Sequence, residues 1–319
     1  LEPMPQYLTI QDDKSLGFKM NIPKEGIEIY EGKGRLYDSI SMSNRGLIAG
    51  GTIKHLTSTT ISDKYTLFPD SMLTQASSFN MEKDADGVFP ELESRDVTIK
   101  WLTRKDEWSV TNQAGKQFDM FNNGTVLDGS LKLTPSSLMG AGTINMTNSR
   151  ITSNNYTFSA EAIKADTADY FLKSASTSGY AFVAENANTD INFAVKTSKF
   201  HLNTDSSMVK FPELQYICTM TDFEYNMEDK VLNMEQRDMR ASASLISPDK
   251  IVWIRPSDIE KPTFFSTNRL NDTISFASLK ARYYVDKEYI EAENVNYIPI
   301  ADALIQPENG KLTIGRQAK

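Results

Sequence analysis

Apolar and polar residues alternate with a period of two through most of this chain. Val97-Thr98-Ile99-Lys100-Trp101 runs into a charged stretch, Thr103–Glu107, and alternation resumes at Trp108-Ser109-Val110. The same figure recurs as Phe223–Met227, Glu228-Asp229-Lys230 and Val231–Met234. It recurs again as Leu279–Val285, Asp286-Lys287-Glu288 and Tyr289–Ala292. Period two puts alternate side chains on opposite faces of a strand, and a short charged interruption is the signature of a hairpin turn. Ala160–Lys173 fits both an amphipathic helix and a strand. Its counterpart Pro69–Thr74 is a poorer helix former, and equivalent repeats share structure, which favours a strand.

The pattern is duplicated. Leu47–Leu67 (LIAGGTIKHLTSTTISDKYTL) aligns without gaps on Leu138–Phe158 (LMGAGTINMTNSRITSNNYTF) at an offset of 91, with eight of 21 positions identical. Unrelated segments share about one or two, so this is a repeat. The identities are Leu47/Leu138, Gly51/Gly142, Thr52/Thr143, Ile53/Ile144, Ser58/Ser149, Ser62/Ser153, Tyr65/Tyr156 and Thr66/Thr157. Phe89-Pro90-Glu91-Leu92 recurs as Phe211-Pro212-Glu213-Leu214 at an offset of 122. The change of offset predicts an insert of about 31 residues near 177–208, alternating well enough to be an added pair of strands. The predicted organisation is a first copy over 1–120, a second over 121–239 with that insert, a Pro-bearing linker or irregular segment over 240–272, and a partial third repeat over 273–319. All-β, elongated repeat architecture follows, as a β-solenoid or stacked jelly-roll-like repeats. A right-handed parallel β-helix is the alternative.

Composition narrows the function classes. Net charge is −8 and the 34 basic residues are dispersed, whereas a nucleic-acid footprint needs clustered Lys and Arg. No apolar run reaches the length of a membrane-spanning helix. One cysteine, Cys218, excludes a disulfide within the chain, and two histidines, His55 and His201, leave too few ligands for a Cys/His zinc site. Both histidines read as surface or edge residues, and Cys218, in the apolar run Tyr216–Met220, as a buried inert thiol. The chain opens on Leu1-Glu2 and ends within a strand-like run, which reads as a fragment of a longer exported protein.

Candidate chemistry is sparse. Glu82, Asp84, Asp86 and Glu93 follow the spacing of an EF-hand calcium loop, with Gly87 at position six. Glu at position one and Pro90 at position nine favour an acidic turn, and the four residues remain a calcium candidate. Glu91/Glu93, Asp166/Asp169 and Glu291/Glu293 have the spacing of a glycosidase carboxylate pair, which is also that of a solvated strand face. P-loop, G-x-S-x-G and H-E-x-x-H motifs are absent from the sequence, no cofactor is implied, and Gly140-Ala141-Gly142 lacks the third glycine of a dinucleotide loop. Four Asp-Ser/Thr-apolar triplets, at Asp38, Asp70, Asp166 and Asp272, resemble the O-glycosylation signal of exported Bacteroidetes proteins.

Ser130–Leu172 resembles the repeats of OstA-like lipopolysaccharide-transport proteins and of AsmA- and TamB-type β-structures. Gly140–Met146, Asn155–Ala165 and Ile290–Val295 share their rhythm of glycine strand followed by alternating strand. The resemblance implies an elongated β-structure that cradles acyl chains, with no catalytic residues to carry over. The expected role is a non-enzymatic structural, adhesive or lipid-handling segment of a periplasmic, outer-membrane-associated or extracellular protein. Its expected partners are lipid, glycan or other envelope proteins. A carbohydrate-active β-helix enzyme, a lyase or hydrolase, is the alternative.

Overall fold

Alternating side chains fold into antiparallel strands when short turns join them, because each strand then buries one face and solvates the other. The computed structural model describes residues 7–11, 14–204, 207–236, 262–269, 274–300 and 303–316. Among these residues every element longer than a single turn is a strand.

The chain forms two compact units, Leu1–Thr147 with Asn154–Ile163, and Asn148–Ser153 with Lys164–Lys319. The first holds β1 (Tyr7–Ile10), β2 (Leu16–Asn21), β3 (Ile27–Ile29), β4 (Gly34–Ser43), β5 (Gly46–His55), β6 (Ser58–Leu67), β7 (Ser71–Met81), β8 (Leu92–Leu102), β9 (Glu107–Asn112), β10 (Phe118–Met120), β11 (Thr125–Thr134) and β12 (Ser137–Asn145). β13 (Ser149–Phe158) and β14 (Ala162–Lys173) are divided between the units. The second holds β15 (Tyr180–Asn192), β16 (Thr197–Leu202), β17 (Val209–Phe211), β18 (Tyr216–Cys218), β19 (Asp222–Asn226), β20 (Val231–Glu235), β21 (Phe264–Ser266), β22 (Ser275–Phe276), β23 (Lys280–Tyr284), β24 (Tyr289–Glu293), β25 (Ile298–Ile300), β26 (Ala303–Ile305) and β27 (Leu312–Ile314). One antiparallel sheet takes 25 of these strands, and β25 and β26 pair separately. Ala162–Lys173 is strand, as its repeat counterpart required. The ladders pair antiparallel throughout the described strands, whereas the β-helix alternative requires parallel ones.

The duplication is a duplication of register. In β4–β5, Leu36 pairs with Ile53, Ile40 with Ala49 and Met42 with Leu47. In β11–β12, Leu127 pairs with Ile144, Leu131 with Gly140 and Leu133 with Leu138. Each pair is the earlier one plus 91, and all nine pairs of the two ladders correspond in this way. A one-residue slip would turn every apolar side chain outward, so the buried face fixes the register.

The identical residues build one local device. Gly51 has φ 110° and Gly142 φ 134°, backbone that only glycine adopts without strain. A Cβ on Gly51 would lie 2.0 Å from Asp38 Oδ2, and one on Gly142 2.2 Å from Asp128 O. Each glycine carbonyl is met by the copied tyrosine: Tyr65 Oη lies 3.1 Å from Gly51 O, and Tyr156 Oη 3.2 Å from Gly142 O. Tyr65 Oη also lies 2.9 Å from Thr60 O. The β5–β6 ladder shifts register between Ala49 and Gly51. Such a bulge frees a carbonyl that needs a partner, and the buried phenol supplies it.

The offset of 122 does not mark a structural repeat. Leu92 opens β8 and pairs with Met81 and Met120, whereas Leu214 sits in a turn with its N–H donated to Phe211 O. The region expected to be an insert is indeed a strand pair, β15 and β16. It is nevertheless a regular part of the ladder. β15 pairs with β16 and β17 as β8 pairs with β9 and β10, and the turns carry a positive φ at the same place, Asp106 and Lys196. The three charged turns are all hairpins, β8–β9, β19–β20 and β23–β24. They occupy different places in the ladder. Most of the 240–272 linker lies outside the described residues; its 262–269 part contains β21, which pairs with β18 and β22.

Side chains fill both interiors. In the first unit Trp101 and Trp108 are fully buried with ring centroids 5.0 Å apart, and Phe79 lies 6.5 Å from Trp108. In the second, Tyr170 contacts Phe200 at 4.0 Å, Phe182 contacts Phe211 and Phe223 at 5.5 Å, and Phe211 contacts Tyr283 at 5.5 Å. Aromatic rings each bury a large apolar area, so these clusters dominate the stability of their units.

Candidate functional site

Two places bring chemically active side chains together. The first is the outward face of the second unit, where register alone assembles a charged cleft of about 340 Å³. Cross-strand neighbours place Asn188, His201, Asp222, Glu235, Lys280 and Glu293 in one row. The parallel row is Asp190, Lys199, Glu224, Asn233, Arg282 and Glu291. Directly opposed residues on one sheet face lie within reach of each other, and the signs are arranged so that most carboxylates meet a base. Lys164 pairs with Asp190 at 3.1 Å, Lys280 with Glu235 at 3.3 Å, Lys199 with Glu224 at 3.8 Å and Arg282 with Glu293 at 3.8 Å. His201 Nδ1 lies 3.3 Å from Asp222 Oδ1, and Tyr284 Oη donates to Glu291 Oε2 at 3.3 Å. Exposed pairs of this kind contribute little each, about 0–1 kcal/mol. Lys280→Ala or Arg282→Ala is therefore expected to move the urea midpoint only slightly, an effect that fades in high salt; a large loss would mean that these charges hold the unit together.

The second place is the buried end of β5 against the β8–β9 hairpin. His55 lies two residues beyond Ile53 and points to the same inward face. It is 2% exposed, which corrects the expectation of a surface histidine; His201, by contrast, is exposed. The His55 ring lies 5.0 Å from both Trp101 and Trp108. Asp106 Oδ1 accepts from His55 Nε2 at 2.9 Å and from Trp101 Nε1 at 3.0 Å. His55 Nδ1 has no hydrogen-bond partner among the described residues. Nε2 thus carries a proton, and in the neutral ring Nδ1 carries none.

Burial holds the His55 pKa below its ordinary value of 6.5, against the opposing effect of the hydrogen bond His55 donates to Asp106. An unfolded chain protonates this histidine near pH 6.5 while the folded chain does not. Unfolding then takes up a proton, so stability falls as the pH drops below about 6.5 and levels off once the folded histidine also titrates. Denaturant midpoints measured from pH 8 to pH 5 should show this loss, and His55→Gln should flatten that part of the profile. A profile unchanged by the substitution would contradict the assignment.

The other candidates stand apart. Among the described residues, no group of three or more His, Cys, Asp or Glu side chains could hold a metal ion. Of the calcium candidates, Asp84 accepts the Phe89 N–H at 2.7 Å, closing its own turn. Glu82 follows the end of β7, Asp86 lies in the turn, and Glu93 faces outward on β8. Asp169 accepts the Asn186 N–H at 2.9 Å, Asp166 is exposed, and Glu91 is exposed just before β8. Among the described residues, Glu293 alone of these acidic pairs lines the cleft. Cys218 is fully buried, and burial pushes its thiol up to about 12. Thiolate is the nucleophile, so a thiol reagent should leave the folded protein unlabelled and react once it is denatured; rapid labelling of the native chain would overturn this placement.

No helix of the described residues is long and apolar enough to cross a membrane. Comparison with protein-family models, curated proteins and solved structures finds no match to this chain.

Proposed function

We propose that this chain is a non-enzymatic structural segment of an exported cell-envelope protein, an antiparallel β-solenoid lengthened by copying its own ladder. The single observation that carries the reading is the chemistry of the copied residues. Gly51/Gly142, Tyr65/Tyr156 and Ile53/Ile144 shape backbone and fill the interior. The charged cleft lies in strands that were not part of that match. A repeat selected for turnover would be expected to copy reactive groups; this one copies a positive-φ glycine and the tyrosine on its carbonyl.

Lipid handling is the less favoured variant, because aromatic side chains occupy the interiors that acyl chains would need. The carbohydrate-active alternative draws on the cleft, whose carboxylates are mostly engaged by neighbouring bases or hydroxyls. The test combines location with ligand challenge. Antibody detection should find the protein in envelope fractions. The purified chain should show no saturable uptake of a fluorescent fatty acid and should not shorten an acidic polysaccharide. Saturable uptake would establish the lipid-handling reading, and cleavage the enzymatic one.

A further inference from the structure

One buried contact of the first copy has no counterpart in the second. His55 stands where the second copy has Met146, at the offset of 91. Asp106 stands where the β15–β16 turn has Lys196, since Leu102 pairs with Glu107 as Asn192 pairs with Thr197. The two tryptophans against the imidazole, Trp101 and Trp108, are Ile191 and Ser198 there. Met146 is buried and carries no titrating group, and Lys196 pairs with Glu228 at the surface.

In the first unit this contact joins turns at one end of the interior. His55 closes β5, and Ser58 Oγ donates to its carbonyl at 2.7 Å. Asp106 reaches the ring from the β8–β9 turn, at a φ of 50°. Lys33 Nζ, from the β3–β4 turn, donates to Thr103 O, and the Thr103 N–H donates to Asp70 O of the β6–β7 turn. Tyr30 Oη donates to Ser71 O at 2.9 Å, and its ring lies 5.0 Å from Trp101. Four turns therefore close over the two tryptophans, and His55 with Asp106 ties two of them.

Few charges surround the imidazole. Asp106 faces it from the β8–β9 turn, and Tyr30 lies beyond Trp101 on the β3–β4 turn. Lys33 is engaged on Thr103 O, and Glu107, at the start of β9, pairs with Lys132. Asp70, Arg104 and Lys105 are exposed. β6 and β7 bring Ser58, Thr60, Phe79 and Met81 to this side, all buried and none charged. A second proton on the ring goes to Nδ1, which has no hydrogen-bond partner among the described residues. A buried charge with an unmet donor is costly. The attraction of Asp106 does not offset it, because desolvation lowers the proton affinity of His55 by more than Asp106 raises it.

We propose that His55 and Asp106 form an acid-sensitive latch, which releases the turn end of the first unit when His55 takes up a proton and leaves the second unit closed. The latch adds a conformational response to the scaffold reading and stands without it, since a binding module or an enzyme could carry the same device.

The test is hydrogen exchange read by mass spectrometry at pH 7.5 and pH 5, corrected for the intrinsic pH dependence of amide exchange. In the parent chain, peptides covering 97–112 should lose protection at pH 5 by up to about 30-fold, the limit set by an ordinary histidine of pKa 6.5 over that range. Peptides covering 216–226, in the second unit, should keep theirs. His55→Met, which installs the residue of the second copy, should abolish the loss, with His55→Gln as a second variant in case methionine perturbs β5. The parent supplies a readout that needs no variant. It has two histidines, so selective labelling gives two ring signals by NMR, and the His55 titration should run in step with the loss of protection. Unchanged protection in the parent would overturn the proposal. So would a loss that survives both substitutions, a loss of equal size in both units, or a His55 titration that leaves the hairpin protected. The scaffold reading would be untouched by any of these results.

Discussion

Trp101→Ala should unfold the first unit at markedly lower urea. The indole is fully buried, lies 5.0 Å from the rings of Tyr30, His55 and Trp108, and donates Nε1–H to Asp106 at 3.0 Å. Truncating a buried tryptophan removes its transfer energy and leaves a cavity, at a cost of about 3–5 kcal/mol. Asp106 also keeps only one of its two buried donors. Leu8→Ala is the matched control, because Leu8 in the β1–β2–β4–β5 ladder holds the place that Trp101 holds in β8–β9–β11–β12 but is 60% exposed. It should cost no more than about 0.5 kcal/mol, as surface substitutions do. Denaturant midpoints with unchanged slopes would measure both. Equal costs would mean that the two places in the ladder are not equivalent.

Gly142→Ala should be comparably damaging despite adding one methyl group. The new Cβ would sit 2.2 Å from Asp128 O and 2.8 Å from Gly129 Cα, both backbone, at a φ of 134°. Backbone strain costs about 1–3 kcal/mol and forced overpacking about 1–3 kcal/mol more. Gly51→Ala should behave alike, since its Cβ would meet Asp38 Cβ at 2.5 Å at a φ of 110°. Tyr65→Phe and Tyr156→Phe should each cost roughly 1–3 kcal/mol, by taking the phenol donor from the Gly51 or Gly142 carbonyl. Thermal or denaturant unfolding of the four variants would check the order, glycine above tyrosine in both copies. If the glycine variants were as stable as the parent, the repeated glycine–tyrosine contact would not be the device described.

What could be read from the chain was whatever depends on local pattern. Period-two alternation gave strands and the charged runs gave hairpins, because both reflect neighbours in sequence. The match at offset 91 carried register, since Gly51/Gly142 and Tyr65/Tyr156 form a contact within each copy and must be copied together. The offset of 122 misleads because the same four residues lead into a strand at Leu92 and close a turn at Leu214. The β15–β16 hairpin reads as an insert because the offset changes from 91 to 122, although the ladder uses it as it uses β8–β9. His55 was legible and was missed: it stands two residues from Ile53, so period two already turned it inward. The charged cleft was not legible. Lys199, Glu224, Arg282 and Glu293 sit on four strands far apart in sequence, and only long-range register brings them onto one face.

The central claim is that one ladder was copied with its register. Disulfide trapping tests it most directly, in a Cys218→Ser background. Ser41 pairs with Ile48, and Lys132 with Met139, at the same offset of 91. Cysteines can bridge only at short Cβ separation and suitable orientation. Ser41→Cys/Ile48→Cys and Lys132→Cys/Met139→Cys should therefore both oxidise readily, while Ser41→Cys/Gly50→Cys and Lys132→Cys/Ala141→Cys, slipped by two residues, should not. A copy that crosslinks in the slipped register, or one copy that traps while the other does not, would contradict the account.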